Sequence, residues 1–214
     1  DFLEEMFKKI NLFPELKVFS SAIEIETSKT IVKASYSIKK TNDYEIVNYF
    51  NSSYKRTVLC SSSAVFHKSV FEKIGPFDIQ LKSGEDTDMW IRIGLFYPIL
   101  FSWKILARYV YDSDSLTKNQ DFVYGKINFY KFKELEKYNP EMKKFLDLNR
   151  CSLAIRSKIN RKNDEFKELY NAINLKNLTI KKRVLLLLPS TVLIYLVRLQ
   201  KVLVNNNLSR NEFK

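Results

Sequence analysis

A chain of 214 residues is long enough for one good core, or for one core with an appendage. Its 45% hydrophobic content excludes a disordered chain. Its four glycines, none set in Gly-x-Gly-x-x-Gly or Gly-x-x-x-x-Gly-Lys-Ser/Thr, argue against a glycine-rich phosphate loop. The formal net charge of +12 is uneven: residues 1–150 hold 23 basic against 20 acidic side chains, and residues 151–214 hold 13 against 4. Basic character is thus a property of the C-terminal third, where an anionic partner, membrane or nucleic acid, would act.

Residues 1–13 read as a helix with Leu3, Met6, Phe7 and Ile10 on one face, ended by Phe13-Pro14. The periodicity already runs at Phe2, behind an Asp1 placed as an N-cap, with no initiator methionine and no signal peptide. A piece cut from a longer protein is expected from that opening. Residues 18–26 and 30–38 read as strands, with Thr27-Ser28-Lys29 as a hairpin turn. Residues 44–50 read as a short helix. Residues 57–66 read as a strand whose centre, Cys60-Ser61-Ser62-Ser63-Ala64, is small and polar, so that either a ligand or a neighbouring strand can come close to the backbone.

A short helix over residues 68–74 is stopped by Gly75-Pro76, and a longer one over residues 85–97 ends before Pro98. The longer helix has an apolar face of Met89, Trp90, Ile93 and Phe96, with Asp88 and Arg92 at i,i+4. Trp90, on that face, reads as core rather than as a sugar-stacking platform. Residues 99–111 are strand-like, residues 112–120 a polar loop, and the pattern from 121 onward is helical, broken near Asn139-Pro140, Asn160 and 174–177. Alternating strands and helices followed by helices alone predict an α/β domain with a helical C-terminal appendage, divided near residue 118.

Candidate chemistry is sparse outside one place. Cys60 and Cys151 lie far apart without metal spacing and read as two reduced thiols of a cytoplasmic protein. The single histidine, His67, argues against a multi-histidine metal site or a His-dependent triad and reads as structural at a strand-to-helix junction. The exception is Gly84-Glu85-Asp86-Thr87-Asp88-Met89-Trp90-Ile91-Arg92, where three carboxylates crowd a helix start. Acidic residues there offset the helix dipole in any protein, and Asp88–Arg92 could be an ordinary helix ion pair. The same carboxylates on a cleft rim can also accept a proton from an incoming nucleophile.

The run Ser61-Ser62-Ser63-Ala64-Val65-Phe66-His67-Lys68-Ser69-Val70-Phe71-Glu72-Lys73-Ile74-Gly75-Pro76-Phe77-Asp78, followed by the Gly84–Arg92 motif, resembles the second half of a family 2 glycosyltransferase of the GT-A fold. The shared pattern is a small-residue strand, a helix ending in Gly-x-Phe-Asp, a short loop, then Gly-Glu-Asp-x-Asp-x-Trp-x-Arg. The likeness covers roughly residues 1–117, so the fold it implies is a partial GT-A domain with residues 118–214 as a helical tail. It implies that Asp86 is the catalytic base of an inverting transfer of a sugar from a nucleotide-sugar donor to a hydroxyl of a glycan or lipid-linked acceptor. Glu85, Asp88 and Arg92 would orient that base or bind acceptor hydroxyls, with Ser62 and Ser63 among the substrate contacts. A divalent cation, Mg or Mn, is implied as cofactor, but its Asp-x-Asp ligands and the nucleotide-binding half lie outside this chain. The 214 residues alone are therefore expected to be inactive. Many relatives carry a histidine after the strand that follows the acidic helix; residues 108–117 hold none, and Asp112 or Asp114 is left to take a polar role. Bacterial surface polysaccharide assembly is the pathway type the resemblance suggests.

The C-terminal segment carries a second signal. Residues 184–197 contain no charged side chain, Lys181-Lys182-Arg183 precede them, and Arg198 and Lys201 follow. Fourteen such residues fall short of the roughly 20 needed to span a bilayer. Residues 178–204 therefore read as a helical segment lying on an anionic membrane surface, peripheral at the inner face of the cell membrane, or else packed on the domain or on a second subunit. Two rivals to the transferase remain: a basic nucleic-acid-binding module, for which residues 126–137 are the best candidate although their aromatics sit at core-like spacing, and a non-catalytic membrane adaptor. No nucleic-acid partner is expected on the favoured reading.

Overall fold

The computed structural model describes residues 1–27, 30–110, 127 and 129–205. The chain divides into two compact units, Asp1–Asn128 and Phe129–Lys214.

The first unit is mixed α/β. Helix α1 (Phe2–Leu12) opens with a capping box, the Asp1 carboxylate accepting from the Glu4 N–H at 2.9 Å while Glu4 reaches back to the Asp1 amino group. The chain then enters β1 (Val18–Glu26), which occupies the middle of a five-stranded sheet. On one edge β1 pairs antiparallel with β4 (Ala64–Phe66) at residues 18–20 and with β2 (Ile31–Lys33) at residues 24–26. On its other edge it runs parallel to β5 (Ile99–Val110), which pairs antiparallel with β3 (Tyr44–Val47). The β1–β5 register slips at Ser21/Ala22 and again at Ala22/Ile23, and irregularities of this kind bend a strand and add twist.

Strand alternation distributes the core. Met6, Phe19 and Leu100 are buried together, flanked by Ile10, Phe13 and Val65, on the α1 side. Phe101 and Trp103 carry Tyr36, with ring centroids 4.7 and 6.0 Å away. The Tyr36 hydroxyl accepts from the Ile23 N–H at 3.0 Å, and burial pushes its pKa up to about 12.

Three expectations are corrected. Residues 44–50 are not one helix: Tyr44–Val47 is a strand on the edge of β5, and only Tyr49–Ser52 (α2) is helical. The edge of β5 supplies ladder partners that local periodicity cannot foresee, and Asn48 caps α2 by accepting from the Phe50 N–H at 2.8 Å. The strand expected over 30–38 pairs only at residues 31–33. That expected over 57–66 is a strand only at 64–66, because hydroxyls ahead of it bind local backbone instead of leaving it to a ladder. Thr57 Oγ1 donates to the Leu59 carbonyl and accepts from the Leu59 N–H, and Ser63 N–H closes a turn onto the Cys60 carbonyl. The expected turn residues Ser28 and Lys29, and the 112–120 loop with Asp112 and Asp114, lie outside the described residues.

The second unit is helical: α5 (Pro140–Ile159), α6 (Asn163–Ala172), α7 (Ile180–Leu187) and α8 (Ser190–Asn205), preceded by two 3-10 turns. Asn139 caps α5, accepting from the Met142 N–H, and Pro140 takes the first helical position, where no N–H is needed. The other helices pack on α5 around Cys151, Ala154, Ile173, Leu178 and Leu186. Two lysines of α5 tie them down, Lys143 donating to the Ala172 carbonyl at 2.8 Å and Lys158 to the Leu186 carbonyl at 2.7 Å. Among the described residues no helix is long and apolar enough to cross a membrane.

Candidate functional site

The acidic motif begins helix α4 (Glu85–Phe96), entered through Gly84. Gly84 has φ +86°, and a Cβ there would meet Ile127 Cγ2 at 2.6 Å, so both conformation and space demand glycine. The Ile127 N–H donates to the Ser83 carbonyl at 3.1 Å and anchors this entry. The helix start is thus held at a fixed point.

The three carboxylates of the first turn then part company. Asp88 is fully buried, and its Oδ2 accepts from Arg92 Nε at 3.0 Å. The same guanidinium donates onward to the carbonyls of Ile74, Gly75 and Pro76. Arg92 therefore fastens α4 to the turn that ends α3 (Ser69–Ile74), and the Gly75-Pro76 and Asp88–Arg92 signatures form one clamp. Glu85 is half-buried. Asp86 is exposed; its Oδ1 accepts from the Thr87 N–H at 2.6 Å and lies 3.3 Å from the Thr87 hydroxyl. Both bonds fall on Oδ1, and among the described residues no hydrogen bond reaches Oδ2.

Two further groups belong to this neighbourhood and escaped sequence reasoning. Tyr49, on α2, is buried against α4, where a Cβ at Gly94 would meet Tyr49 Cβ at 2.6 Å. Its hydroxyl lies 3.4 Å from Thr57 Oγ1. Burial pushes the Tyr49 hydroxyl far above its ordinary range, and the Asp86 charge acts in the same direction. Gly94 inside the last turn of the helix was the only advance signal, since glycine within a helix weakens it unless something packs against it.

The serines separate too. Ser62 is exposed on a turn, whereas Ser63 is buried, with its carbonyl accepting from the Ser21 N–H at 3.0 Å. The hydroxyls of Ser63, Ser20 and Ser21 are all buried without a hydrogen-bond partner among the described residues. Trp90 is core: it stacks on Phe66 at 5.4 Å and meets the edge of Phe77. His67 Nδ1 lies 2.8 Å from Ser69 Oγ and accepts from the Ser69 N–H, a local turn at the start of α3.

The motif carboxylates do not converge as ligands, since Asp88 turns inward to Arg92 while Asp86 is exposed. Among the described residues no group of three or more His, Cys, Asp and Glu side chains is placed to hold a metal ion. In the basic, aromatic stretch near residue 130, Phe129 and Phe132 are buried and Tyr130 is exposed; residues 126 and 128 lie outside the described residues. No protein-family model matches this chain, and a search of curated proteins finds no match.

Proposed function

We propose that this chain supplies the acceptor-side catalytic elements of an inverting, family 2 glycosyltransferase of GT-A type, with Asp86 as the base. The observation that supports the reading best is the division of labour within the motif: one exposed carboxylate, Asp86, stands beside a buried one, Asp88, whose pairing with the partly exposed Arg92 braces the helix start. On this reading Asp88 and Arg92 orient the base, and Glu85 and Ser62 are left to meet acceptor hydroxyls.

The chemistry is a single displacement. The Asp86 carboxylate takes the proton of an acceptor hydroxyl as its oxygen attacks the anomeric carbon of the sugar nucleotide. The bond from that carbon to the leaving nucleotide diphosphate breaks on the opposite face, so configuration inverts and the proton stays on Asp86. A carboxylate suits the task because the proton moves while the nucleophile forms its bond, and a rigid helix start suits it because misplacement of the base erodes the rate. The donor nucleotide and its divalent cation would be held by groups other than these residues. The acceptor is a glycan or a lipid-linked glycan, in bacterial surface polysaccharide synthesis.

The test is Asp86→Asn in the protein expressed from its full reading frame, assayed for release of nucleotide diphosphate in the presence of acceptor. Loss of a general base predicts a fall of about 10²–10⁴-fold in kcat. Turnover within a factor of two of the parent would remove Asp86 from the mechanism.

A further inference from the structure

Helices α7 and α8 each have two apolar faces, and only one of each is used. In α7, Leu185 and Leu186 are buried, while Ile180, Val184 and Leu187, spaced i, i+4, i+7, form a stripe left in solvent. In α8, Leu193 is buried, while Val192, Tyr195 and Leu199, spaced i, i+3, i+7, form a second exposed stripe. Ile180, Leu187 and Tyr195 are 77, 70 and 66% exposed. Both helices pack on α5, so both stripes face away from it. Six apolar side chains on two consecutive helices exceed the scattered exposed residues that any surface carries.

Charge identifies the occupant. From residue 169 to residue 211 the sequence holds seven Lys and Arg and not one Asp or Glu. Lys181 and Arg183 flank the α7 stripe, at 100° per residue on either side of Ile180 and Val184, and Arg198 is exposed beside the α8 stripe. Long cationic side chains at the border of an apolar face reach outward to anionic headgroups while the apolar groups enter the acyl boundary, and an exposed tyrosine suits the same depth. A second copy of the chain is a poor fit, because a symmetric contact would set these cations against their own images with no carboxylate between them.

We infer that α7 and α8 form an interfacial anchor that lays the helical unit on an anionic phospholipid bilayer. The anchor is monotopic, and the inference is independent of the transferase reading.

The experiment is flotation of the full chain with vesicles of phosphatidylcholine plus phosphatidylglycerol, and with vesicles of phosphatidylcholine alone. Binding to the anionic vesicles is expected to be at least about tenfold stronger than to neutral ones and to weaken as salt is raised. The double variant Leu187→Glu/Tyr195→Glu is expected to lose about tenfold or more in binding with an unchanged circular-dichroism spectrum. Lys181→Gln/Arg198→Gln, which keeps both stripes, is expected to lose several-fold on anionic vesicles only, and it decides the matter if the first variant does not fold. Failure of the parent to float with anionic vesicles overturns the inference. So does binding indifferent to both pairs of substitutions, or a dimer in sedimentation velocity that Leu187→Glu/Tyr195→Glu dissolves.

Discussion

Two aspartates, Asp88 in α4 and Asp147 in α5, are both wholly enclosed, yet their surroundings differ in what they leave over. Asp147 is saturated from within its unit. Lys143 at 2.5 Å and Arg150 at 3.4 Å reach its Oδ1, and the Asn174 N–H and the Asn177 amide reach its Oδ2. Arg150 also pairs with the buried Glu136 at 2.6 Å. All the charge of that cluster is turned inward, where it staples α5 to the segment after α6 and to the 3-10 turn before α5. In α4, by contrast, one guanidinium answers Asp88 and then grips the α3 turn, while two residues away Asp86 remains in solvent. The contrast separates a charge consumed by architecture from one that architecture holds in place for use.

Substitutions sharpen that contrast, and the largest effect belongs to α5. Asp147→Ala takes one shared carboxylate from Lys143, which keeps the Ala172 carbonyl, and from Arg150, which keeps Glu136, and it removes the acceptor of the Asn174 N–H and the Asn177 amide; loss of one partner from a buried charged network costs about 3–5 kcal/mol. Urea denaturation should show a much lower midpoint, with the helical unit affected first; a midpoint within error of the parent would mean that the network carries no stability.

Asp88→Ala is next. Arg92 keeps three carbonyl acceptors and some exposure, so the cost should fall below that of Asp147→Ala, at about 2–3 kcal/mol by the same reasoning. An equal or larger loss would reverse the ranking of the two clusters.

Gly84→Ala combines a left-handed backbone with a contact at 2.6 Å to Ile127, although the side chain of Ile127 can shift. A cost of about 1–2 kcal/mol is expected, with a change in tryptophan fluorescence reporting movement of the Trp90 helix. Asp86→Asn should have the smallest effect of all, an unfolding midpoint indistinguishable from that of the parent, because the group is exposed and its bonds to Thr87 can be made by an amide oxygen. Taken with its predicted loss of turnover, that silence in stability is the signature of a functional rather than an architectural carboxylate. A marked destabilisation would place Asp86 with Asp88.

Much of this was legible along the chain. The Gly75-Pro76 stop, the first-turn acids of α4, the breaks at Asn139-Pro140 and Asn160, and the uncharged run over residues 184–197 are local signals, and the structure has elements at those places. The 44–50 and 57–66 segments were not legible, because short runs of Tyr, Ile, Val, Ser and Thr suit helix, strand or turn alike until a neighbour chooses. The same holds for Tyr49, which joins the Asp86 neighbourhood only because Gly94, 45 positions on, makes room for its ring.

By itself the sequence determined where the longer helices start and stop, the balance of charge between the two parts of the chain, and the motif in which a base would be sought. These depend on side-chain chemistry acting over a few residues: caps, dipoles, ring constraints and periodicity. Only the tertiary structure decided which of three neighbouring carboxylates stays in solvent, which serine is enclosed, and which apolar side chains of α7 and α8 are left exposed. Those outcomes depend on what distant segments bring to the same point, and a guanidinium that gathers Asp88 and the carbonyls of Ile74, Gly75 and Pro76 can be recognised only once the chain has folded.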